Sequence, residues 1–332
     1  MRGHGSLGDP VPAQAQANCQ VCDSTLDSSL GDLGCPVCLF RTGLSELPEI
    51  EHESAHQFGS YIVAQRADGI PDELGRGSMG ITFRAIDRTL NRPVALKIID
   101  PSQHGSDRVR ERFMREARAA AGLDHPNIAT IHHFGIHEAT GQYFYAMELV
   151  EGETLEERVR RTGPIDSQTV LRIARQVVAA LTAAEKRGLI HRDLKPGNVM
   201  LASKEGGAPE VKVIDFGLAK AVTDEGDLMV MTRDGFVGSP AFASPEQFAK
   251  ARVDVRSDVF SLGATLWFAL TGRTPFPGQS IEEIQAEQLS GRLPIQQLKA
   301  AGVPGRLISL LKSMLAVEPA ARPGTRGLAE QL

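Results

Sequence analysis

The chain has 332 residues, of which 42% are hydrophobic and 23% charged, and a net charge of −5 at pH 7. This composition predicts a globular protein with one large domain or two smaller ones, and the acidic balance argues against a nucleic-acid partner. The longest apolar stretch, residues 259–270, is shorter than the roughly 20 residues of a membrane span, so we expect no membrane-spanning segment.

The N-terminal segment, residues 1–17, is rich in Gly, Ala, Gln and Pro and offers little that a core could bury. Such a composition is typical of disorder, so we predict a disordered N-terminus. The segment also lacks the apolar core of a secretion signal. We therefore expect a cytoplasmic, reducing location.

Four cysteines follow in the pattern C-x2-C-x12-C-x2-C, at Cys19, Cys22, Cys35 and Cys38. In a reducing compartment, cysteine pairs bind metals more often than they form disulfides. Four thiolates fill a tetrahedral shell, so residues 18–40 are predicted to be a zinc-ribbon-like module that folds around a structural Zn²⁺. Two disulfides, redox thiols or an iron centre are the alternatives, and the module is a candidate site for a partner protein.

A polar, acidic stretch at residues 41–57 is predicted to be a linker, although it contains the string His52-Glu53-Ser54-Ala55-His56. This string matches H-E-x-x-H, the zinc-binding pattern of metalloproteases. A working site of that kind needs an amphipathic helix with a buried face, a third ligand and an open zinc position. The polar surroundings provide none of these, and we interpret the match as accidental.

From residue 58 the sequence consists of short β-like runs, interrupted by one helical stretch, and after about residue 153 it becomes mainly helical. Asp166 is in place to cap one of these helices. A strand-rich part followed by a helix-rich part is typical of an α+β fold. We predict two lobes, an N-lobe at about 58–150 and a C-lobe at about 151–332.

A glycine-rich loop, Gly75-x-Gly77-x-x-Gly80, lies between two strand-like segments. In a Rossmann fold such a loop opens a helix, whereas residues 81–87 are β-branched and aromatic and continue as a strand. A glycine loop inside a hairpin can cover the phosphates of a nucleotide with its backbone N–H groups. A plain hairpin turn is the alternative.

Lys97 lies on the next strand, in "VALK", 17 residues after Gly80. A buried lysine needs an anionic partner in order to remain charged. Glu116 lies on the same helical stripe as Phe113 and Ala120 and is predicted to face the sheet. Alternatively, Glu116 is one of several solvated charges on an arginine-rich helix.

Three further motifs complete a set, namely "IHRDLKPGNVML" at 190–201, "VKVIDFGLAK" at 211–220 and "SPE" at 244–246. With the glycine loop and "VALK", they make the chain from about residue 60 to 332 resemble the protein kinase family. The lysine in "DLKPGN", Lys195, resembles that of serine/threonine kinases. The sequence as a whole resembles the eukaryotic-like kinases of bacteria. The resemblance implies a bilobal protein kinase fold and ATP-dependent phosphorylation of Ser or Thr on protein substrates.

The resemblance assigns catalytic roles to four residues. Lys97, paired with Glu116, would hold the α- and β-phosphates. Asp193 would accept or orient the proton of the substrate hydroxyl, and Lys195 would contact the transferred phosphate.

The same resemblance implies ATP and Mg²⁺ as cofactors, with Asn198 and Asp215 as Mg²⁺ ligands. Met147 resembles the gatekeeper, and backbone groups of Glu148 and Val150 would meet the adenine edge. The complete nucleotide-binding set that it implies is Gly75, Gly77, Gly80, Thr82, Ala95, Lys97, Met147, Glu148, Val150, Asn198 and Asp215.

Structural roles also follow from the resemblance. His191 is expected to pack under the DFG segment around residues 215–217, and Asp258 to brace the catalytic loop at residues 191–198. Glu246 is expected to pair with Arg322. The departures from the family pattern are Thr82 for Val, Ser239 for Thr, SPE for APE, and Gly197 where an acidic residue often attracts basic substrates. Because no phosphate or metal contact is lost, we weigh a nucleotide-binding pseudokinase scaffold only as the alternative function.

The activation segment between DFG and SPE contains Thr223 and Thr232. Arg192, directly before Asp193, resembles kinases whose activation segment is controlled by phosphorylation. A phosphate there would carry about −1.5 to −2 charges and pair with the guanidinium. Our hypothesis is that Thr232 is autophosphorylated and thereby orders the segment.

Overall fold

The computed structural model describes residues 17–18, 25–26, 56–77, 80–99, 117–202, 209–216, 231–232, 235–236, 240–249, 251 and 253–332. The chain divides into two compact units, Met1–Ser54 and Ala55–Leu332, so the second unit begins inside the predicted linker. In the first unit, β1 (Ala17–Asn18) pairs with β2 (Thr25–Leu26) in an antiparallel arrangement. The four cysteines lie outside the described residues, so the zinc module stays a prediction.

The second unit opens with an antiparallel sheet of seven strands, as its β-branched and aromatic runs predict. The strands are β3 (Gln57–Phe58), β4 (Tyr61–Val63), β5 (Glu73–Gly77), β6 (Gly80–Asp87), β7 (Arg92–Ile99), β8 (Ile131–Ile136) and β9 (Tyr143–Glu148). Their order is β3-β4-β6-β7-β9-β8, and β5 pairs with β6. The strand-rich N-lobe is thereby confirmed.

The side chains of β7 and β9 alternate between two buried clusters, because successive residues of a strand point to opposite faces. One cluster takes their even-numbered side chains and residues of β3, β4 and β6, namely Val94, Leu96, Phe144, Ala146, Phe58, Tyr61, Val63 and Ala85. The other takes their odd-numbered side chains and a helical segment at residues 117–121, namely Ala95, Ile99, Tyr143, Tyr145, Met147, Ala117 and Ala120. The second face also carries Lys97, and it is the face that forms the candidate site.

The C-lobe begins with a three-stranded sheet of β10 (Gly152–Thr154), β11 (Val199–Ala202) and β12 (Glu210–Val213). Its helices are α1 (Leu155–Thr162), α2 (Ser167–Glu185), α3 (Pro245–Phe248), α4 (Val255–Thr271), α5 (Ile281–Leu289), α6 (Ile295–Ala300), α7 (Gly305–Met314) and α8 (Thr325–Gln331). Asp166 accepts a hydrogen bond from the N–H of Thr169, which confirms the predicted cap of α2. Between the lobe's sheet and α3, the short strands β13 (Met231–Thr232) and β14 (Gly235–Phe236) pair with each other.

Helix α4 is the centre of the C-lobe core, and nearly all its side chains are buried, including Phe260 and Trp267. A helix buried on nearly every side has little solvent-facing surface, which explains why residues 259–270 contain no charged side chain. Among the residues that the structure describes, no helix is both long enough and apolar enough to cross a membrane.

A buried ion pair links α3 to the segment before α8. The Arg322 guanidinium donates to both carboxylate oxygens of Glu246, at 2.6 and 2.9 Å, which confirms the predicted pairing. Burial acts to raise the pKa of Glu246, but hydrogen bonds from Arg322 and Ser257 outweigh it and leave the pKa below its ordinary value. The carboxylate is therefore ionised at neutral pH and matches the charge of its partner.

Candidate active site

A cleft of about 660 Å³ lies between the second face of the N-lobe sheet and the C-lobe. Most of the residues that the sequence assigns to the site line it, namely Gly75, Gly77, Thr82, Ala95, Lys97, Met147, Glu148, Val150, Asp193, Lys195, Asn198 and Asp215. The structure thus brings together residues from the glycine loop, the three strands β6, β7 and β9, the segment after β9, the catalytic loop and the DFG segment. Glu116 lies outside the described residues, so its pairing with Lys97 stays a prediction.

Gly80 differs from the other two glycines of the loop because it does not line the cleft. It begins β6 with a φ of +145°, and a Cβ atom there would lie 2.0 Å from the carbonyl oxygen of Ile98 on β7. Only glycine adopts this backbone conformation at so close an approach. Gly80 therefore fixes the hairpin against β7, which places Gly75 and Gly77 over the cleft.

The register of the sheet arranges the lining side chains in rows. Lys97 lies opposite Thr82 on one neighbouring strand and opposite Tyr145 on the other. Ala95, two residues earlier, lies opposite Met147. Because directly opposite residues project from the same face of a sheet, these side chains all point toward the cleft or the space behind it.

The carboxylate of Asp215, in the DFG motif, contacts two side chains of this row. Lys97 Nζ lies 2.6 Å from Asp215 Oδ2, and the two side chains are only 11% and 16% exposed. The Tyr145 hydroxyl donates to Asp215 Oδ1 at 2.8 Å. Burial acts to raise the pKa of Asp215, but Lys97 and then Tyr145 outweigh it, so the pKa lies below its ordinary value. Asp215 is thus held as a carboxylate, the form that a hard cation requires.

The Tyr145 phenol itself is fully buried. Its pKa is raised well above the ordinary value, first by burial and then by the negative charge of Asp215. The phenol is therefore protonated and acts as a hydrogen-bond donor.

The catalytic loop between α2 and β11 supplies the other charged groups. Lys195 Nζ lies 3.0 Å from Asp193 Oδ2. Asn198, in a short 3-10 turn at Pro196–Asn198, donates its amide to the Asp193 carbonyl at 2.8 Å and to Asp193 Oδ2 at 3.2 Å. These contacts fix the Asp193 carboxylate and use the amide nitrogen of Asn198, so its amide oxygen is the atom that could hold a metal ion.

Asp258, in the first turn of α4, braces the catalytic loop as predicted. Its carboxylate accepts the backbone N–H groups of His191 at 2.8 Å and of Arg192 at 2.9 Å. Burial raises the pKa of Asp258, although His191 and these donors act in the opposite direction. Arg192 has a φ of +63°, a conformation that non-glycine residues adopt only where surrounding contacts hold them.

His191 packs against the DFG segment, which confirms its predicted structural role. Its Nε2 lies 3.0 Å from the Ile214 carbonyl oxygen, and its ring centroid lies 4.7 Å from that of Phe216. His191 thus links the catalytic loop to Asp215, which has a φ of +60°. Both loops that carry the candidate catalytic residues are held in strained backbone conformations by buried contacts.

The donor set suits Mg²⁺, which takes a few protein oxygens and completes its shell with phosphate and water. Asn198 and Asp215, which lie on neighbouring segments joined by the Ile214 N–H to Asn198 carbonyl bond of 3.0 Å, both line the cleft and could supply such oxygens. Within the described ranges, no group of three or more His, Cys, Asp or Glu residues is placed to hold a metal ion.

Sequence reasoning missed Tyr145 and Met200. Met200 lines the cleft from β11, and its only sequence signal is an apolar residue shortly after the Asn198 motif. Tyr145 follows from strand alternation, since it lies two residues before Met147 and so on the same face. Of the activation segment, Thr223 and Ser239 lie outside the described residues, and autophosphorylation stays a prediction.

Comparison with known protein families gives one match over most of the chain. The family model described as "Protein kinase domain" matches residues 70–332. The chain is 37% identical over 255 residues to "Serine/threonine-protein kinase pkn3" of Myxococcus xanthus, which covers 76% of this chain and 46% of that protein. It is also 36% identical over 252 residues to "Serine/threonine-protein kinase PknL" of Mycobacterium tuberculosis. This match covers 75% of this chain and 60% of that protein. The chain therefore spans less than two thirds of the length of these relatives.

Solved structures show the same similarity. The kinase domain of Mycobacterium tuberculosis PknI is 28% identical, with a TM-score of 0.62, over 83% of this chain and 96% of that chain. Rad53 in complex with AMP-PNP is 25% identical, with a TM-score of 0.67, over 82% of this chain and 64% of that chain. Both matches cover the strand-rich and the helical lobe.

Proposed function

The chain belongs to the protein kinase family, and from this premise we propose that it transfers the γ-phosphoryl group of ATP to Ser or Thr hydroxyls of protein substrates in signalling. The observation that carries the proposal is the convergence of Lys97, Asp193 and Asp215 in one cleft. A pseudokinase scaffold, the alternative, would be expected to have lost at least one of these three groups. All three are present.

Phosphoryl transfer depends on positioning and on neutralising charge, rather than on covalent steps by the protein. Mg²⁺, when bound, neutralises the phosphate oxygens, and Asn198 and Asp215 are the residues that would hold it. Asp193 orients the acceptor hydroxyl and takes up its proton. Lys195, whose Nζ lies 3.0 Å from Asp193 Oδ2, would donate to the transferred phosphoryl oxygens.

A pocket for the nucleotide base is proposed in the same cleft. Ala95 and Met147 approach it from the N-lobe sheet and Met200 from β11, so an adenine ring would lie between apolar side chains. Rad53, which is similar in fold, was solved in complex with AMP-PNP, and this similarity supports a nucleotide as a ligand of this chain. Lys97 would then hold the phosphates.

The proposal is tested by incubating the purified chain with γ-labelled ATP, Mg²⁺ and a generic protein acceptor, followed by phosphoamino acid analysis. We expect label on serine or threonine and none without Mg²⁺. Nucleotide binding without any transfer would instead support the scaffold function.

For the N-terminal unit we propose that Cys19, Cys22, Cys35 and Cys38 hold one structural Zn²⁺, in a cytoplasmic protein where the thiols stay reduced. The module would offer a docking site to a partner protein. We expect native mass spectrometry to find one zinc per chain, and Cys35→Ser to lose it. The control His52→Gln should keep it. The assignment would be contradicted if the folded wild type contained no zinc, or if His52→Gln lost the zinc while Cys35→Ser kept it.

Autophosphorylation of the activation segment is proposed at Thr232. Because a phosphate would pair with Arg192, we expect Thr232→Ala and Arg192→Ala to lower the rate of substrate phosphorylation to a similar degree. Phosphopeptide mapping after incubation with ATP checks the site, with Thr223→Ala as the matched control. Fully active wild type with an unmodified Thr232 would contradict the proposal.

A further inference from the structure

Tyr145 and Lys97 together hold the Asp215 carboxylate. The two residues lie directly opposite each other on β9 and β7. The Tyr145 hydroxyl donates to Oδ1 at 2.8 Å, and Lys97 donates to Oδ2 at 2.6 Å. Each oxygen of one carboxylate is therefore fixed by a side chain from a different strand.

The tyrosine is built into the core around this contact. Its side chain is 1% exposed, and its ring packs in the cluster with Ala95, Ala120 and Met147. A buried hydroxyl needs a hydrogen-bond partner, and a phenylalanine would pack there without that requirement. The partner that the described residues give this hydroxyl is the candidate Mg²⁺ ligand.

Asp215 needs such support because of its backbone. Its φ of +60° is unfavourable for a residue with a side chain and persists only where contacts hold it. Lys97, one of the two contacts, has a second task, since its ammonium is also the group that would hold the nucleotide phosphates. If Lys97 turned to them, the bond from Tyr145 would still orient the carboxylate.

We propose that Tyr145 is a positioning residue for phosphoryl transfer, and that its hydroxyl sets the plane in which the Asp215 carboxylate meets Mg²⁺. A carboxylate oxygen has about two lone-pair sites, so Oδ1 can accept from Tyr145 and still bind a cation. The inference rests on the proposed function for its catalytic consequence, but its metal-binding consequence is independent of it.

The test is Tyr145→Phe, which removes the hydroxyl and keeps the ring. We expect the affinity for Mn²⁺, titrated calorimetrically into the chain saturated with AMP-PNP, to fall about tenfold, as is typical when a group that orients a metal ligand is removed. The half-saturating Mg²⁺ concentration for phosphate transfer should rise by a similar factor. Thermal unfolding and the metal-free affinity for AMP-PNP should stay close to wild type.

Tyr143→Phe is the matched control, because Tyr143 lies two residues earlier on β9 and belongs to the same buried cluster. It should leave the Mn²⁺ affinity unchanged. Tyr145→Met, a flexible side chain without a hydroxyl that can fill much of the same space, should reproduce the loss seen with phenylalanine.

Wild-type Mn²⁺ affinity in folded Tyr145→Phe would overturn the proposal, as would an equal loss in Tyr143→Phe. If the wild type transfers no phosphate but Tyr145→Phe still binds Mn²⁺ more weakly, the proposed function fails and the positioning role stands.

Discussion

Replacing Glu246 by alanine should lower the free energy of unfolding by about 3–5 kcal/mol, the usual cost of removing one partner of a buried ion pair. The substitution leaves the Arg322 guanidinium, whose side chain is 0% exposed, without a counter-charge. The cost arises mainly from that uncompensated charge rather than from the lost attraction.

The surroundings of Arg322 explain why its guanidinium cannot become solvated when Glu246 is replaced. Besides the two bonds to Glu246, its guanidinium donates to three backbone carbonyls, those of Arg256, Ala316 and Val317. It also lies 4.8 Å from the centre of the Phe260 ring. All five N–H donors of the group have partners, so the guanidinium is locked in place.

Urea unfolding of wild type and Glu246→Ala measures the effect. The control is Glu153→Ala, which breaks the exposed pair between Glu153 and Arg161 and should change stability far less, because solvent screens surface pairs. Similar unfolding midpoints for the two variants would show that the buried pair does not hold the C-lobe together.

Much of the candidate site could be predicted because its chemistry lies in short, ordered motifs. Lys97 on its strand and Asp193, Lys195 and Asn198 in one loop are local features, and all line the cleft. The change from strand-rich to helix-rich sequence likewise placed the two lobes, because hydrophobic periodicity reports the local element directly.

The contacts between elements could not be predicted in the same way. Periodicity tells which face of β9 carries Tyr145, but not that Asp215, 70 residues away, would meet its hydroxyl. The closeness of Gly80 to the Ile98 carbonyl likewise depends on how two strands pack. Such distances follow from tertiary packing, which local patterns do not encode.

Asp193→Asn should reduce the rate of phosphate transfer by about 10²- to 10⁴-fold, the usual contribution of a positioned acid or base. Asparagine has nearly the same shape, so the contact with Asn198 can persist, while the ion pair with Lys195 and the proton acceptor are lost. The affinity for ATP should change little, because Asp193 is assigned to the acceptor hydroxyl rather than to the nucleotide.

Asp124→Asn is the matched control. Asp124 is exposed and does not line the cleft, so the same chemical change there should leave the transfer rate at the wild-type value. A similar loss in both variants would point to a general effect of the substitution.

The most direct test of phosphoryl transfer at this cleft is a single-turnover measurement with γ-labelled ATP, Mg²⁺ and a protein acceptor, made on wild type and Asp193→Asn at matched nucleotide occupancy. We predict that the wild type labels serine or threonine, and that the variant binds ATP equally well but transfers the label at least about a hundredfold more slowly. Equal rates of transfer by the two proteins would contradict the assignment of this cleft as the catalytic site.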